Sequence, residues 1–85
     1  MNIGGIIEID CHGMTTEQAV KTVEQKVNSA PVGTYRVRVI HGFNGGTRIR
    51  DAIRRELGYG LNDKIKRIEN GNNQGVTELV LKEYY

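Results

Sequence analysis

Residues 34–53, TYRVRVIHGFNGGTRIRDAI, change period in mid-stretch. Tyr35, Val37 and Val39 alternate with Arg36 and Arg38, the repeat of a strand with one apolar and one polar face. The alternation stops at His41-Gly42. Past a glycine-rich break, Ile49, Ala52, Ile53 and then Leu57 line one stripe of a helix that begins near Thr47, with Gly58 or Gly60 as its stop. Arg48 and Arg50 fall in the first turn of that helix, where the positive end of the dipole favours acids. Either the two arginines tolerate a penalty of roughly a few tenths of a kcal/mol, or something negative sits beside them.

Upstream, GIIEID (residues 5–10) is a short apolar run ending at His12-Gly13 and predicts a strand. MTTEQAVKTVEQKVNSAP (14–31) predicts a helix: Thr15 caps, Gln18 completes a capping box, and Met14 can staple onto Ala19. Ala19, Val20, Val23 and Val27 recur at helical spacing, and Pro31 forbids continuation. Downstream, KIKRIE (64–69) and VTELVL (76–81) read as strands joined through NGNNQG (70–75), whose residues tolerate positive φ, so a hairpin is expected.

The order is β-α-β-α-β-β. Two right-handed crossovers in one direction place both helices on one face of a four-stranded mixed sheet, with the last strand antiparallel to the rest. The expected architecture is a two-layer α/β (α+β) sandwich with one open sheet face. Glu56 falls inside the apolar stripe of the second helix, so its last turn is expected to leave the core.

Eighty-five residues hold one domain, 1–85. A hydrophobic content of 38% with 26% charged residues describes an ordered chain rather than a disordered one. One cysteine forms no internal disulfide, and the N-terminus carries no leader or anchor pattern. A cytoplasmic protein without a membrane partner is expected. Charge is unevenly spread: residues 48–67 carry seven Lys and Arg against Asp51, Glu56 and Asp63, a net of +4, whereas the first thirty residues carry −2. Such asymmetry suits either a basic binding surface or a solvated helix face.

The two βα junctions share a plan: apolar strand, His-Gly, short loop, threonine, helix. Ligands of open α/β sheets gather at the carboxyl ends of parallel strands, the edge that holds both junctions. Asp10 lies two residues before His12 and so points the same way, where it can orient the imidazole. Gly42, Gly45 and Gly46 let main chain approach an anion at the helix start, with Asn44 and Thr47 in the same loop and Arg48 and Arg50 to neutralise it. An anion site beside His12 and His41 points to phosphodiester chemistry. Glycines before a helix are also plain turn formers, and strict alternation puts His41 on the face opposite to Asp10 and His12. Zinc held by Asp10, Cys11, His12 and His41 has suitable ligand types, but alternation turns Cys11 into the apolar stripe of Ile7 and Ile9, so no zinc is expected and Cys11 belongs to the core.

With IDCHGMT, VIHGFNGGTRIRDAI and GVTELVL at these spacings, the chain resembles the Smr domain, the small MutS-related domain, over nearly its whole length. Ile9-Asp10-Cys11-His12-Gly13 matches the family's L-D-x-H-G strand end, with Ile for Leu. His41-Gly42 matches the H-G-x-G loop, with Asn44 in place of its last glycine. Gly75, Thr77 and Leu81, with Val80 or Leu79, follow the final T-x-V-x-L strand. The resemblance implies a fold like the C-terminal domain of translation initiation factor 3, in a stand-alone or excised domain. It also implies nucleic-acid binding and, for many members, nicking or endonucleolytic cleavage of DNA or RNA. By position it makes Asp10, His12 and His41 the candidate catalytic residues and Gly42 part of the binding loop.

Two functions follow as expectations. One is an endonuclease in which His12 or His41 handles protons and Asp10 positions His12 or binds a divalent metal. The other is a non-catalytic nucleic-acid or ribosome-associated module, alone or beside other protein domains.

Overall fold

The computed structural model describes residues 2–3, 5–42, 47–58 and 60–82. Five strands, β1 (Asn2–Ile3), β2 (Ile6–Asp10), β3 (Arg36–Ile40), β4 (Arg67–Asn70) and β5 (Val76–Val80), form one sheet in the order β1-β2-β3-β5-β4. Helix α1 (Thr16–Asn28) joins β2 to β3, which pair in parallel, and α2 (Arg48–Leu57) leads from β3 toward β4. Because β5 is antiparallel to both β3 and β4, β4 runs parallel to β3 with β5 inserted between them.

The four expected strands and two helices are all present. Beyond them, β1 adds a two-residue antiparallel edge to β2. The insertion of β5 lay outside the expectation, because a hairpin fixes the direction of a returning strand but not the side on which it pairs.

Each element forms for local reasons. The Thr15 side chain accepts from the Gln18 main-chain N–H, and the Gln18 side chain accepts from that of Thr15, closing the N-terminus of α1 as a capping box. Ser29 ends the helix, its N–H and hydroxyl both donating to the Gln25 carbonyl. The β4–β5 hairpin closes where Gly71 N–H donates to the Val76 carbonyl at 2.9 Å.

Alternation then sorts side chains by face. Ile7, Ile9 and Cys11 of β2 and its extension, Val37 and Val39 of β3, and Leu79 of β5 meet Ala19, Val23, Val27, Ile53 and Leu57 in one buried cluster. The last turn of α2 stays on this core, with Leu57 buried. Glu56 faces solvent and pairs with Arg55 at 3.1 Å, so the expected departure of that turn does not occur.

The face without helices mixes charges with Ile6, Ile40, Val76 and the buried Val80. Glu8, Arg38, Glu78 and Glu69 are register partners across β2, β3, β5 and β4. Arg36 binds Glu78 at 2.7 Å and Glu69 at 3.5 Å, and Arg38 lies 3.4 Å from Glu78 and 3.6 Å from Glu8. The hydrogen bond that Arg36 donates to the Glu78 carboxylate holds its guanidinium above its ordinary pKa. Glu78 is nearly buried, so two arginines supply the compensation that a desolvated carboxylate needs. Among the described residues no helix is long and apolar enough to cross a membrane.

Leu79 is fully enclosed at the centre of the sheet, so Leu79→Ala is expected to cost about 2–5 kcal/mol in urea unfolding. Val32→Ala, at an 87% exposed position, is expected to stay within about 0.5 kcal/mol.

Candidate functional site

Both His-Gly junctions lie at one edge because β2 and β3 are parallel neighbours, with Asp10 beside Ile40 and the Cys11 N–H donating to the Ile40 carbonyl at 2.8 Å. Their histidines nevertheless have different surroundings. His12 is exposed. His41 is 7% exposed and lies on the helix-covered side.

The His41 ring is engaged at both nitrogens. Nδ1 lies 2.8 Å from the Gly42 carbonyl and Nε2 lies 2.8 Å from the Thr77 hydroxyl. A carbonyl only accepts, so Nδ1 carries the proton of that bond, and in the neutral ring Nε2 accepts a hydrogen bond donated by the Thr77 hydroxyl. The main chain is tied at the same place: the N–H groups of His41 and Gly42 both donate to the Gly75 carbonyl, at 2.9 and 3.0 Å. Gly42 has φ of 73°, and a Cβ on Gly75 would come within 3.1 Å of the Gly42 Cα, so both positions favour glycine. Alternation foresaw the separation of His41 from Asp10 and His12. The partners Thr77 and Gly75 were visible in the sequence as a motif, but their purpose needed the β3–β5 register.

Asp10 also has a specific task. Its carboxylate accepts the His12 main-chain N–H at 3.0 Å, an Asx turn that shapes the first junction. The contact is with the backbone of His12, whereas the expectation was an interaction with its ring. Cys11 is completely buried, and burial, with a smaller contribution from Asp10, pushes its thiol up to about 11. It stays protonated at neutral pH and belongs to the core, as its place in the apolar stripe indicated. Among the described residues no three His, Cys, Asp or Glu side chains gather as metal ligands would.

The helix start resolves part of the arginine puzzle. Thr47 precedes α2 but makes no side-chain cap bond to its backbone. Its hydroxyl instead donates to Asp51 at 2.7 Å, and Arg50 approaches the same carboxylate at 3.4 Å. Asp51 is thus a negative partner within the chain, and the Thr47 hydroxyl, followed by Arg50 and Arg54, holds its carboxyl below the usual range. Arg48 is exposed and forms no ion pair among the described residues. The N–H groups of the first helical turn have no intrahelical acceptors. Phe43, Asn44, Gly45 and Gly46, the centre of the expected anion loop, lie outside the described residues.

A two-layer α/β domain with two unequal His-Gly junctions at the carboxyl edge of its parallel strands is the class these features define. The family model described as the Smr domain matches residues 9–81. The chain belongs to the Smr domain family. It is similar to the crystal structure of the Smr domain of Thermus thermophilus MutS2, with 27% sequence identity and a TM-score of 0.78 over 91% of this chain and 99% of that one. No curated protein matches the sequence.

Thr77→Val removes the donor to a buried ring nitrogen and is expected to cost about 1–3 kcal/mol by urea unfolding. Asp51 gives a pH test with a definite sign. A carboxylate whose folded pKa is depressed stabilises the fold above its ordinary value of 3.8 and loses that contribution as pH falls through the lowered value. Asp51→Asn should therefore flatten the fall in stability below about pH 4, measured by melting temperature against pH.

Proposed function

We propose that this domain binds nucleic acid at the edge formed by the two junctions and cleaves its phosphodiester backbone, with His12 as the proton-transfer group. The observation that carries the reading is the pairing at one edge of exposed His12 with the N-terminus of α2, which Thr47 leaves uncapped and which bears Arg48 and Arg50. The helix dipole, the N–H groups that Thr47 does not cap and the Arg48 guanidinium favour a phosphate there, while Arg50 is shared with the Asp51 carboxylate of the same turn. By contrast, the N-terminus of α1 is closed by its own capping box.

A phosphodiester breaks when an attacking hydroxyl loses a proton and the departing oxygen gains one. An exposed imidazole suits either transfer near neutral pH. His41, with both nitrogens occupied inside the fold, positions Gly42 and the start of the loop. Asp10 sets the main chain that presents His12. Asn44, Gly45 and Gly46, outside the described residues, enter this proposal by their place in the sequence alone, and a divalent metal enters it as a variable to be tested.

A second reading, a nucleic-acid or ribosome-associated module without chemistry, draws support from one fact: of the three candidate catalytic residues, His41 and Asp10 are already engaged in holding their own junctions. Both readings place RNA or DNA on the same edge.

The test is a cleavage assay on supercoiled DNA and structured RNA, each with and without divalent metal. His12→Ala should lower the rate by about 10²–10⁴ while leaving the melting temperature unchanged. Arg48→Ala should reduce the salt dependence of binding by about one phosphate contact. No cleavage by the wild-type protein, together with salt-sensitive binding, would establish the second reading. Equal rates for wild type and His12→Ala would remove His12 from the mechanism.

A further inference from the structure

A cavity of about 310 Å³ opens between the last turn of α2 and the start of β4. It belongs to the opposite edge of the sheet from the two junctions. Helix α2 leaves the carboxyl end of β3, and its 10 residues carry the chain about 15 Å back before β4 begins parallel to β3.

Its walls divide by chemistry. Leu57, Ile65 and Ile68 supply an apolar floor with Arg54 and Lys66 beside it. Arg67 also lines the cavity, but its guanidinium pairs with Glu69 on the charged face of the sheet. Arg54 is held in place by donating to the Asn70 side-chain oxygen at 2.7 Å. Lys66 is exposed and makes no ion pair among the described residues. Arg50 and Arg54, four residues apart on α2, lie between the junction edge and the cavity, with the Asp51 carboxylate shared between them.

The geometry points to a second nucleic-acid contact, in which this cavity takes an unpaired nucleotide of a single strand that also crosses the His12 edge. The inference rests on the nucleic-acid reading above and extends it to a strand path along α2. The lining has no aromatic ring on which to stack a base, but apolar side chains can cover the face of an unpaired base while the cations meet its flanking phosphates. A duplex keeps its bases stacked inside and offers such a floor nothing, whereas a small inorganic anion would use only the cations.

The experiment uses the full chain and fluorescein-labelled oligonucleotides of about 12 nucleotides, a length comparable to the footprint of small single-strand-binding domains. Single-stranded RNA, single-stranded DNA and a duplex are compared by anisotropy over a salt series. Lys66→Gln should weaken binding of at least one of the single strands by about threefold or more and lower its salt slope by roughly 0.7, the loss of one phosphate contact. Duplex binding should stay near wild type. Uridine 5′-monophosphate should shift the amide resonances of Gly58, Ile65 and Ile68 in the wild-type protein.

Unchanged affinity for both single strands, or an equal loss on the duplex, would overturn the cavity assignment. Arg48→Ala, measured in parallel, separates the two sites. If it weakens binding and Lys66→Gln does not, the cavity assignment fails and the junction edge stands. The reverse result removes the junction edge and leaves the cavity as a contact in its own right.

Discussion

The bond between the Thr77 hydroxyl and the His41 ring is the contact on which the candidate site depends. It joins the end of β3 to β5 inside the domain, and the Gly75 carbonyl repeats the connection by accepting from both His41 and Gly42. Without β5 between β3 and β4, nothing would fix where the second loop leaves the sheet. A histidine in a motif that suggests chemistry is here a structural strut, whereas its counterpart His12 is exposed.

Much of this was legible in the residues themselves. The alternation of Tyr35 to Val39 and the 3.6-residue stripe from Ile49 to Leu57 gave strand and helix, and the Thr15-Gln18 box gave the start of α1 to the residue. Each of those signals is local. What was hidden is non-local: the side on which β5 pairs, the short β1 edge formed by Asn2 and Ile3, and the partners of His41. The site was legible in part for the same reason. Asp10 and His12 could be assigned to one face by parity, but Asp10 turns to the backbone of its own loop, a choice made by turn geometry rather than by periodicity. Asp51 stood in plain view as an acid in the first turn of α2, four residues after Thr47, and answers one of the two arginines that had seemed misplaced.

The two faces of the sheet solve the same problem differently. One buries Val, Ile and Leu under helices. The other lays arginine and glutamate in register so that Glu78, almost without solvent, is compensated by Arg36 and Arg38. Pairing within that face consumes most of its charge. Other exposed cations lie elsewhere, among them Arg48 at the start of α2, Lys66 beside β4 and Lys21 and Lys26 on α1.

The order of strands also has a consequence for how the molecule comes into being. β5 is made last but sits in the interior of the sheet, flanked by β3 and β4. Until residues 76–80 have left the ribosome, β3 and β4 have a gap between them and the second junction has no anchor. Co-translational synthesis can therefore accumulate α1 and the β2–β3 pair early, but the cooperative transition has to wait for the final strand. A stalled or truncated product lacking it would expose two strand edges and a cavity-sized strip of apolar surface, and would be a substrate for quality control rather than a partly working domain.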